Sequence, residues 1–277
     1  MCMLIKTTNN VYSVLPSTTS MGSQEKWVVG NRFYKLDPVM GYDSLAEATI
    51  SELESYIEGI EFVDYFIDCP KTVNGRKRRV CYSENCIPEG YTEITLYKLL
   101  ISRVKDKSFF NKYKGKDFVL KVSEIVEKEL SFDPMEYFSK IVYLDSITLN
   151  EDRHLNNISF LVNDKGVGKG MPILDNGRAL LSNEEVYSID RPLLSCVHSV
   201  KSKPFATSFK KQSMYFLDTC KPLVINYDSA VKSLDNAFSH AEDFSFGDRL
   251  SARVLRRMIN VLKMRLKDLE GITWVRK

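Results

Sequence analysis

Residues 150–181 read NEDRHLNNISFLVNDKGVGKGMPILDNGRALL. Asp152 is followed five positions later by Asn157, inside DRHLNN, and Asp175 stands eighteen positions further on in the apolar-flanked PILDNG. A carboxylate on a loop, a carboxamide just beyond it and a second carboxylate at the end of a returning strand are the groups that hold a magnesium nucleotide and orient a hydroxyl. Asn163–Gly166, NDKG, is an ordinary turn signal, and a plain hairpin would need no more than that. Around it, Ile158–Val162 and Met171–Leu174 read as two strands, with Asn157 entering the first and Asp175 leaving the second. A purely structural hairpin concentrates its polar residues at the turn; here three metal- or proton-binding groups gather at the open end.

The chain on either side supports this segment. Upstream, Met135–Ile147 has helical apolar spacing, with Asp133 as its expected N-cap, Pro134 at the first helical position and Glu136 as the capping-box partner. Glu93–Val104 and Lys116–Leu130 carry the same periodicity. Downstream, 178–209 is irregular, with Pro192, Pro204 and a basic KSK around Ser202, a stretch that can hold a substrate or merely connect. Helices are expected again over Ser208–Leu217, Tyr227–Phe238 and Phe246–Leu269, the last with an apolar stripe of Leu250, Val254, Met258, Val261, Leu262 and Leu269.

The first eighty residues read differently. LPSTTSMGSQEKWVV places Thr18, Thr19, Ser20, Gly22 and Ser23 in a hydroxyl-rich loop ahead of a hairpin, Trp27–Val29 and Arg32–Leu36 about Gly30-Asn31. A loop that runs into a strand excludes a Walker-type P-loop, which must open a helix. Lys35 sits inside the second strand, and Glu47 lies twelve residues on in a helix capped by Asp43 or Ser44, with Glu52 and Glu54 as competing partners for the lysine. Phe62–Ile67 and Arg79–Tyr82 are strand-like around an Asn74-Gly75 turn, and Arg76–Arg79 reads as a basic cluster at an exposed tip.

Composition bounds the rest. The 277 residues, 44% hydrophobic and 27% charged, are those of an ordinary globular chain of one large domain or two lobes. Six scattered cysteines lack metal-ligand spacing, and there is neither a signal-peptide core nor an apolar run of membrane-spanning length, so a cytoplasmic location is expected. A net charge of +3 does not by itself call for nucleic acid. The run 249–277 has nine Lys or Arg against Asp268 and Glu270, 9 − 2 = +7; it could touch phosphates, although such a run is more often the solvated face of an amphipathic helix.

In order, the chain offers a small sheet-rich lobe with a hydroxyl-rich loop, a strand lysine and a helix glutamate, then a helical lobe bearing Asp152, Asn157 and Asp175. It resembles the HipA-like atypical serine/threonine kinases: GSQEK at Gly22–Lys26 is similar to their loop signature, Asp145 through Asn150 to DRHLNN to their catalytic loop, and PILDNG stands where they have the metal-binding aspartate. DRHxxN followed by an aspartate is also similar to phosphatidylinositol kinases. The resemblance implies a two-lobed α+β protein-kinase-like fold, an N-lobe over 1–83 and a C-lobe over 84–277. It implies an ATP- and Mg2+-dependent serine/threonine protein kinase, with a protein acceptor. Asp152 would be the catalytic base within a segment shared with Arg153 and His154, and Asn157 and Asp175 the magnesium ligands. Lys35, paired with Glu47, would meet the nucleotide phosphates under the loop of Thr19, Ser20, Gly22 and Ser23, and Val80, Cys81, Tyr82 and Ser83 would form the hinge beside adenine. Thr19, with Ser20 next to it, occupies the position that such kinases can autophosphorylate. Asn156 departs from the lysine common before the metal-binding asparagine, which leaves phosphate stabilisation to Arg153 or Lys35. The separate N-terminal subdomain of the long toxin-type members is expected to be missing. A lipid or small-molecule kinase, and a pseudokinase or scaffold binding protein or nucleic acid through 249–277, are the alternatives.

Overall fold

The computed structural model describes residues 12–13, 24–73, 76–106 and 108–277, without the side chains of 12, 13 and 69–77. Its β-rich N-terminal part is a five-stranded antiparallel sheet built from β1 (Tyr12–Ser13), β2 (Lys26–Val29), β3 (Arg32–Leu36), β5 (Phe66–Val73) and β6 (Arg76–Glu84), in the order β1-β2-β3-β6-β5. Helix α1 (Asp43–Ser51) packs on it, and β4 (Ile57–Glu58) leads away from it. The β2–β3 hairpin turns on Gly30, whose φ of +59 is open to glycine at little cost. Strand alternation sorts the side chains: Trp27, Tyr34, Leu36 and Val80 cluster on one face, while Lys35 lies in register with Cys81 on the other, beside Val63 and Tyr65.

The rest is mostly helical: α2 (Leu96–Arg103), α3 (Phe109–Lys112), α4 (Gly115–Leu130), α5 (Met135–Thr148), α6 (Leu193–Ser199), α7 (Phe209–Met214), α8 (Tyr227–Ser239), α9 (Ala241–Phe244) and α10 (Arg249–Leu269). Two three-stranded sheets complete it: β7 (Tyr91–Thr95), β8 (Ser159–Asn163) and β9 (Gly168–Gly170), and then β4 with β10 (Leu223–Ile225) and β11 (Trp274–Arg276). One continuous core of buried apolar side chains joins α1, α2, α4, α5 and α10. This is an α+β fold with a small sheet-rich part and a larger helical one, and among its described residues no helix is long and apolar enough to cross a membrane.

Several local expectations change. Glu93–Val104 is not one helix: YTEIT pairs with β8 as a strand, and α2 starts at Leu96 with Thr95 accepting a bond from Lys98 N at 3.2 Å. The returning strand opposite β8 is Gly168–Gly170, not Met171–Leu174, because only glycine fits there: a Cβ on Gly168 would lie 2.7 Å from Leu130, and one on Gly170 2.5 Å from the Tyr137 ring. Helix α1 is capped from outside, the Asp37 carboxylate accepting from Ser44 N at 2.7 Å and Ser44 Oγ at 2.6 Å, so neither Asp43 nor Ser44 is its cap. Glu136 pairs with Lys140 at 2.7 Å, not with the start of α5, where Asp133 accepts from Met135 N at 2.9 Å. The turn expected at Asn74-Gly75 lies outside the described residues, and Arg79 is not at an exposed tip: it bonds the buried Asp37 at 3.0 Å and covers the Tyr42 ring.

Candidate active site

The site forms where β3, α1 and the 150–176 segment meet. Lys35 is drawn off the sheet by three acceptors: Glu47 Oε1 and the Tyr65 hydroxyl, each at 2.8 Å, and the Asp175 carboxylate. Glu47 wins over its two rivals because they face elsewhere: Glu52 accepts from Ser233 and Glu54 from the Phe62 amide. The second Glu47 oxygen accepts from Asn176 N at 2.9 Å, so the helix carboxylate fixes both the lysine and the loop after Asp175. Burial opposes charge on Lys35, but Asp175 and Glu47 hold the ammonium protonated well above its usual range. Asp175 is likewise penalised by burial, yet Lys35 and Lys26 outweigh that and keep its carboxyl well below the ordinary value.

Arg153 departs from expectation most. It is fully buried, and its guanidinium grips Asp145 from Nε and Nη2 at 3.1–3.2 Å, while donating to Asn157 O at 3.0 Å, Leu174 O at 2.6 Å and Asn176 Oδ1 at 2.6 Å. With its donors spent inside the protein, it ties the DRHLNN loop to the strand that ends on Asp175, and it is not a residue that reaches phosphate. Burial pushes the Asp145 carboxyl up to about 6 against the pull of Arg153.

Asp152 sits outside this buried network. About 39% of its side chain is exposed, and Lys203 Nζ lies 2.8 Å from Oδ1, with His154 Nε2 3.8 Å from Oδ2. Asn150 accepts from Asp152 N at 3.0 Å, and Asn157 Nδ2 donates to Asp152 O at 3.0 Å. That last bond leaves the Asn157 carboxamide oxygen, the atom of metal-ligand type, without a donor among the described residues. Asn157 and Asp175 thus stand at the same end of the β8–β9 hairpin, and no group of three or more His, Cys, Asp or Glu side chains suited to a metal exists among the described residues. Backbone strain concentrates in the same place: among the described residues, four of the six non-glycine positions with positive φ are Leu149, Asp175, Leu180 and Leu181.

A cleft opens from Lys35 and Asp175 between the sheet and the helical part, walled by Lys26, Trp27, Tyr34, Val63, Tyr65 and Leu174 and by the 83–87 segment. Of the four hinge candidates only Ser83 lines it; Val80 and Cys81 are buried in the sheet's two apolar clusters, and Tyr82 stacks on Phe66. The wall continues through Glu84, Asn85, Cys86 and Ile87 instead. Asn156 also lines the cleft, accepting from Thr95 Oγ1 at 3.2 Å. Thr19, Ser20, Gly22 and Ser23 lie outside the described residues. Tyr65 and Lys203 carried no signal of their own in the sequence, beyond the basic character of KSK. The positive run 249–277 is largely consumed within the molecule: Arg253 pairs with Asp190, Arg256 with Glu242, Arg257 with Glu184, Lys263 with Asp235, and Arg276 with Asp228 and Glu270.

Compared with known structures, the chain matches the Helicobacter pylori proinflammatory kinase CtkA with a TM-score of 0.56 at 14% identity, over 92% of this chain and 96% of that one. The fold is that of a kinase. A second match, at TM-score 0.47 and 13% identity, is to Shewanella oneidensis HipA, in a structure described as a complex with HipB and operator DNA; it covers 91% of this chain and 65% of that one. The first of these likenesses agrees with the kinase-like fold that the DRHLNN and PILDNG motifs imply. No family model matches the sequence, and neither does any curated protein.

Proposed function

We propose that the chain is a kinase that transfers the γ-phosphoryl group of ATP, with Mg2+, to a serine or threonine hydroxyl of a protein. One observation carries the reading: Lys35, held by Glu47, faces Asp175 at the mouth of a cleft, while Asp152 and Asn157 stand at the open end of the same hairpin. Phosphoryl transfer asks for positioning and charge neutralisation more than for covalent chemistry from the protein. In the proposal Lys35 binds phosphate oxygens, Glu47 keeps its ammonium aimed, and Asn157 and Asp175 supply the two protein oxygens of a magnesium site. Two such ligands suit magnesium, which keeps water and takes phosphate oxygens for its remaining positions. Bound there, Mg2+ would neutralise charge developing on the phosphates. The Lys35 ammonium against Asp175 fits that role, since it already places a cation where the carboxylate needs one. Asp152 would accept or orient the hydroxyl proton, and Thr19 and Ser20 are the hydroxyls proposed for autophosphorylation.

The test is labelled ATP with Mg2+, wild type beside Asp152→Asn. The amide cannot accept the proton, so turnover should fall by roughly 100-fold or more, while nucleotide affinity by calorimetry stays near that of the wild type. Full activity of the variant would remove Asp152 from the mechanism.

A further inference from the structure

The 155–157 turn has a second cavity on it, which shares no lining residue with the nucleotide cleft. Its floor is aromatic: Phe118 and Phe205 meet at 6.2 Å between ring centroids, and Phe205 backs onto Phe138 at 5.6 Å and Phe216 at 6.1 Å. Phe110 and Tyr113 of the preceding α3 segment form one side, and Pro204 the other. The rim carries Lys114, His154 and Lys203. Two of these three are the groups that bracket Asp152, Lys203 at 2.8 Å and His154 at 3.8 Å from its carboxylate oxygens. His154 Nδ1 is buried and has no partner among the described residues.

A hydroxyl brought to Asp152 therefore arrives with its neighbouring groups at the mouth of an apolar cavity. Successive Cα atoms of a polypeptide are about 3.8 Å apart, so the side chain one or two positions from the hydroxyl is the one that can enter. We propose that this cavity is the acceptor subsite, and that the substrate is a polypeptide with an aromatic or large aliphatic side chain one or two residues from the phosphorylated serine or threonine. The inference rests on the kinase reading above and gives it a substrate class. Because Phe118 and Phe205 close the floor against core rings, the cavity does not run on as the channel an acyl chain would need. The cationic rim disfavours Lys or Arg in the acceptor at the flanking positions. Such apolar pockets with a few polar groups at one edge are the usual form of a recognition site.

The test uses a peptide library with a central serine or threonine and varied flanks, Mg·ATP, and three proteins: wild type, Tyr113→Ala and Lys114→Glu. Lys114 is exposed, so its replacement tests the rim without cutting into the core. The wild type is expected to select a bulky apolar residue over alanine at one flanking position by about tenfold or more, and to discriminate against Lys and Arg there. Tyr113→Ala should weaken the apolar selection at that same position, and Lys114→Glu should relieve the discrimination against basic residues. A wild type that turns over peptides with a flat apolar profile overturns the subsite and leaves the kinase reading intact; so does a profile that neither variant changes. Transfer to phosphatidylinositol vesicles or to small alcohols, with no peptide phosphorylated, overturns the polypeptide acceptor. A wild type that neither binds Mg·ATP nor labels any acceptor removes both readings together.

Discussion

The two carboxylates of the central segment live in opposite surroundings. Asp175 is locked against Lys35 in a network that also includes Glu47, Tyr65 and Lys26, and Arg153 binds the same loop to Asp145 from beneath. Asp152, on the loop that follows α5, is more than a third exposed, and its carboxylate meets the ammonium of Lys203 and the His154 ring. In the proposed reaction the nucleotide side would be the rigid one and the acceptor side the open one. That division suits a reaction in which one reactant is always the same and the other is a side chain of a different protein. Phosphate must be met by charges that need no rearrangement, whereas the acceptor end must admit and release a polypeptide.

The comparison is tested hardest at Arg153. Arg153→Met removes the partner of a buried carboxylate and the donors to Asn157 O, Leu174 O and Asn176. Breaking one side of a buried ion pair typically costs about 3–5 kcal/mol, which urea denaturation would register as a lower midpoint at nearly constant slope. A loss under about 1 kcal/mol, the range of an exposed pair, would mean that this half is no more rigid than the other. Replacing Arg153 and Asp145 together by apolar residues should recover part of the stability, because no charge is then left buried alone.

Glu47→Gln is the next step down. The amide keeps the shape but loses the charge that aims Lys35, and it weakens the acceptor for Asn176 N. Loss of a group that orients a primary ligand commonly costs about 10- to 100-fold, here expected in Mg·ATP affinity and turnover together. An unchanged affinity would show that Asp175 and Tyr65 suffice to hold the lysine.

A smaller effect should appear in the pH dependence of stability. Asp43, at the start of α1, is pushed up to about 7, chiefly by burial and against the pull of Arg178, and its Oδ1 has no partner among the described residues. A folded-state value above the ordinary 3.8 means that the native protein holds this proton more tightly than the unfolded chain. The contribution is therefore complete below the ordinary value and is lost as pH rises through about 7. Asp145, raised to about 6, has the same sign, and the depressed Asp175 the opposite one, its contribution lost only in strong acid. Asp43→Asn should reduce the fall in stability between pH 4 and 8, measured as thermal midpoint across that range. An identical pH profile in variant and wild type would place Asp43 outside the titrating groups.

How far the sequence foretold these contrasts depends on the range of each interaction. The meeting of Lys35 with Glu47 was legible because a strand followed by one short helix leaves few geometries, and the choice over Glu52 and Glu54 is a matter of helix face. The α+β fold and the shared end of Asn157 and Asp175 followed from local periodicity and turn chemistry around NDKG. Arg153 reads as exposed because it is a charged residue in a catalytic-looking motif, whereas the Asp145 carboxylate in the last turn of α5 draws it inward. The local spacing of Glu93–Val104 predicts a helix, because the partner that makes YTEIT a strand, Ser159–Asn163, begins 66 residues beyond Glu93. Lys203 reaches Asp152 across 51 residues of intervening chain, a distance at which spacing carries no information.

That same lysine supplies the smallest expected effect and the cleanest check on the open half. The Lys203 and Asp152 side chains are 51% and 39% exposed, so water already solvates both and salt screens their attraction. Exposed pairs of this kind contribute about 0–1 kcal/mol, and Lys203→Ala should change the urea midpoint by no more than that, with little dependence on ionic strength beyond the wild type's. The variant should still alter acceptor turnover, because the ammonium stands at the carboxylate proposed to meet the hydroxyl and on the rim of the aromatic cavity. Stability and activity would then respond separately at Lys203 and together at Arg153. A stability loss at Lys203 approaching that of Arg153→Met would erase the distinction, since it would show Asp152 to be pinned as firmly as Asp175.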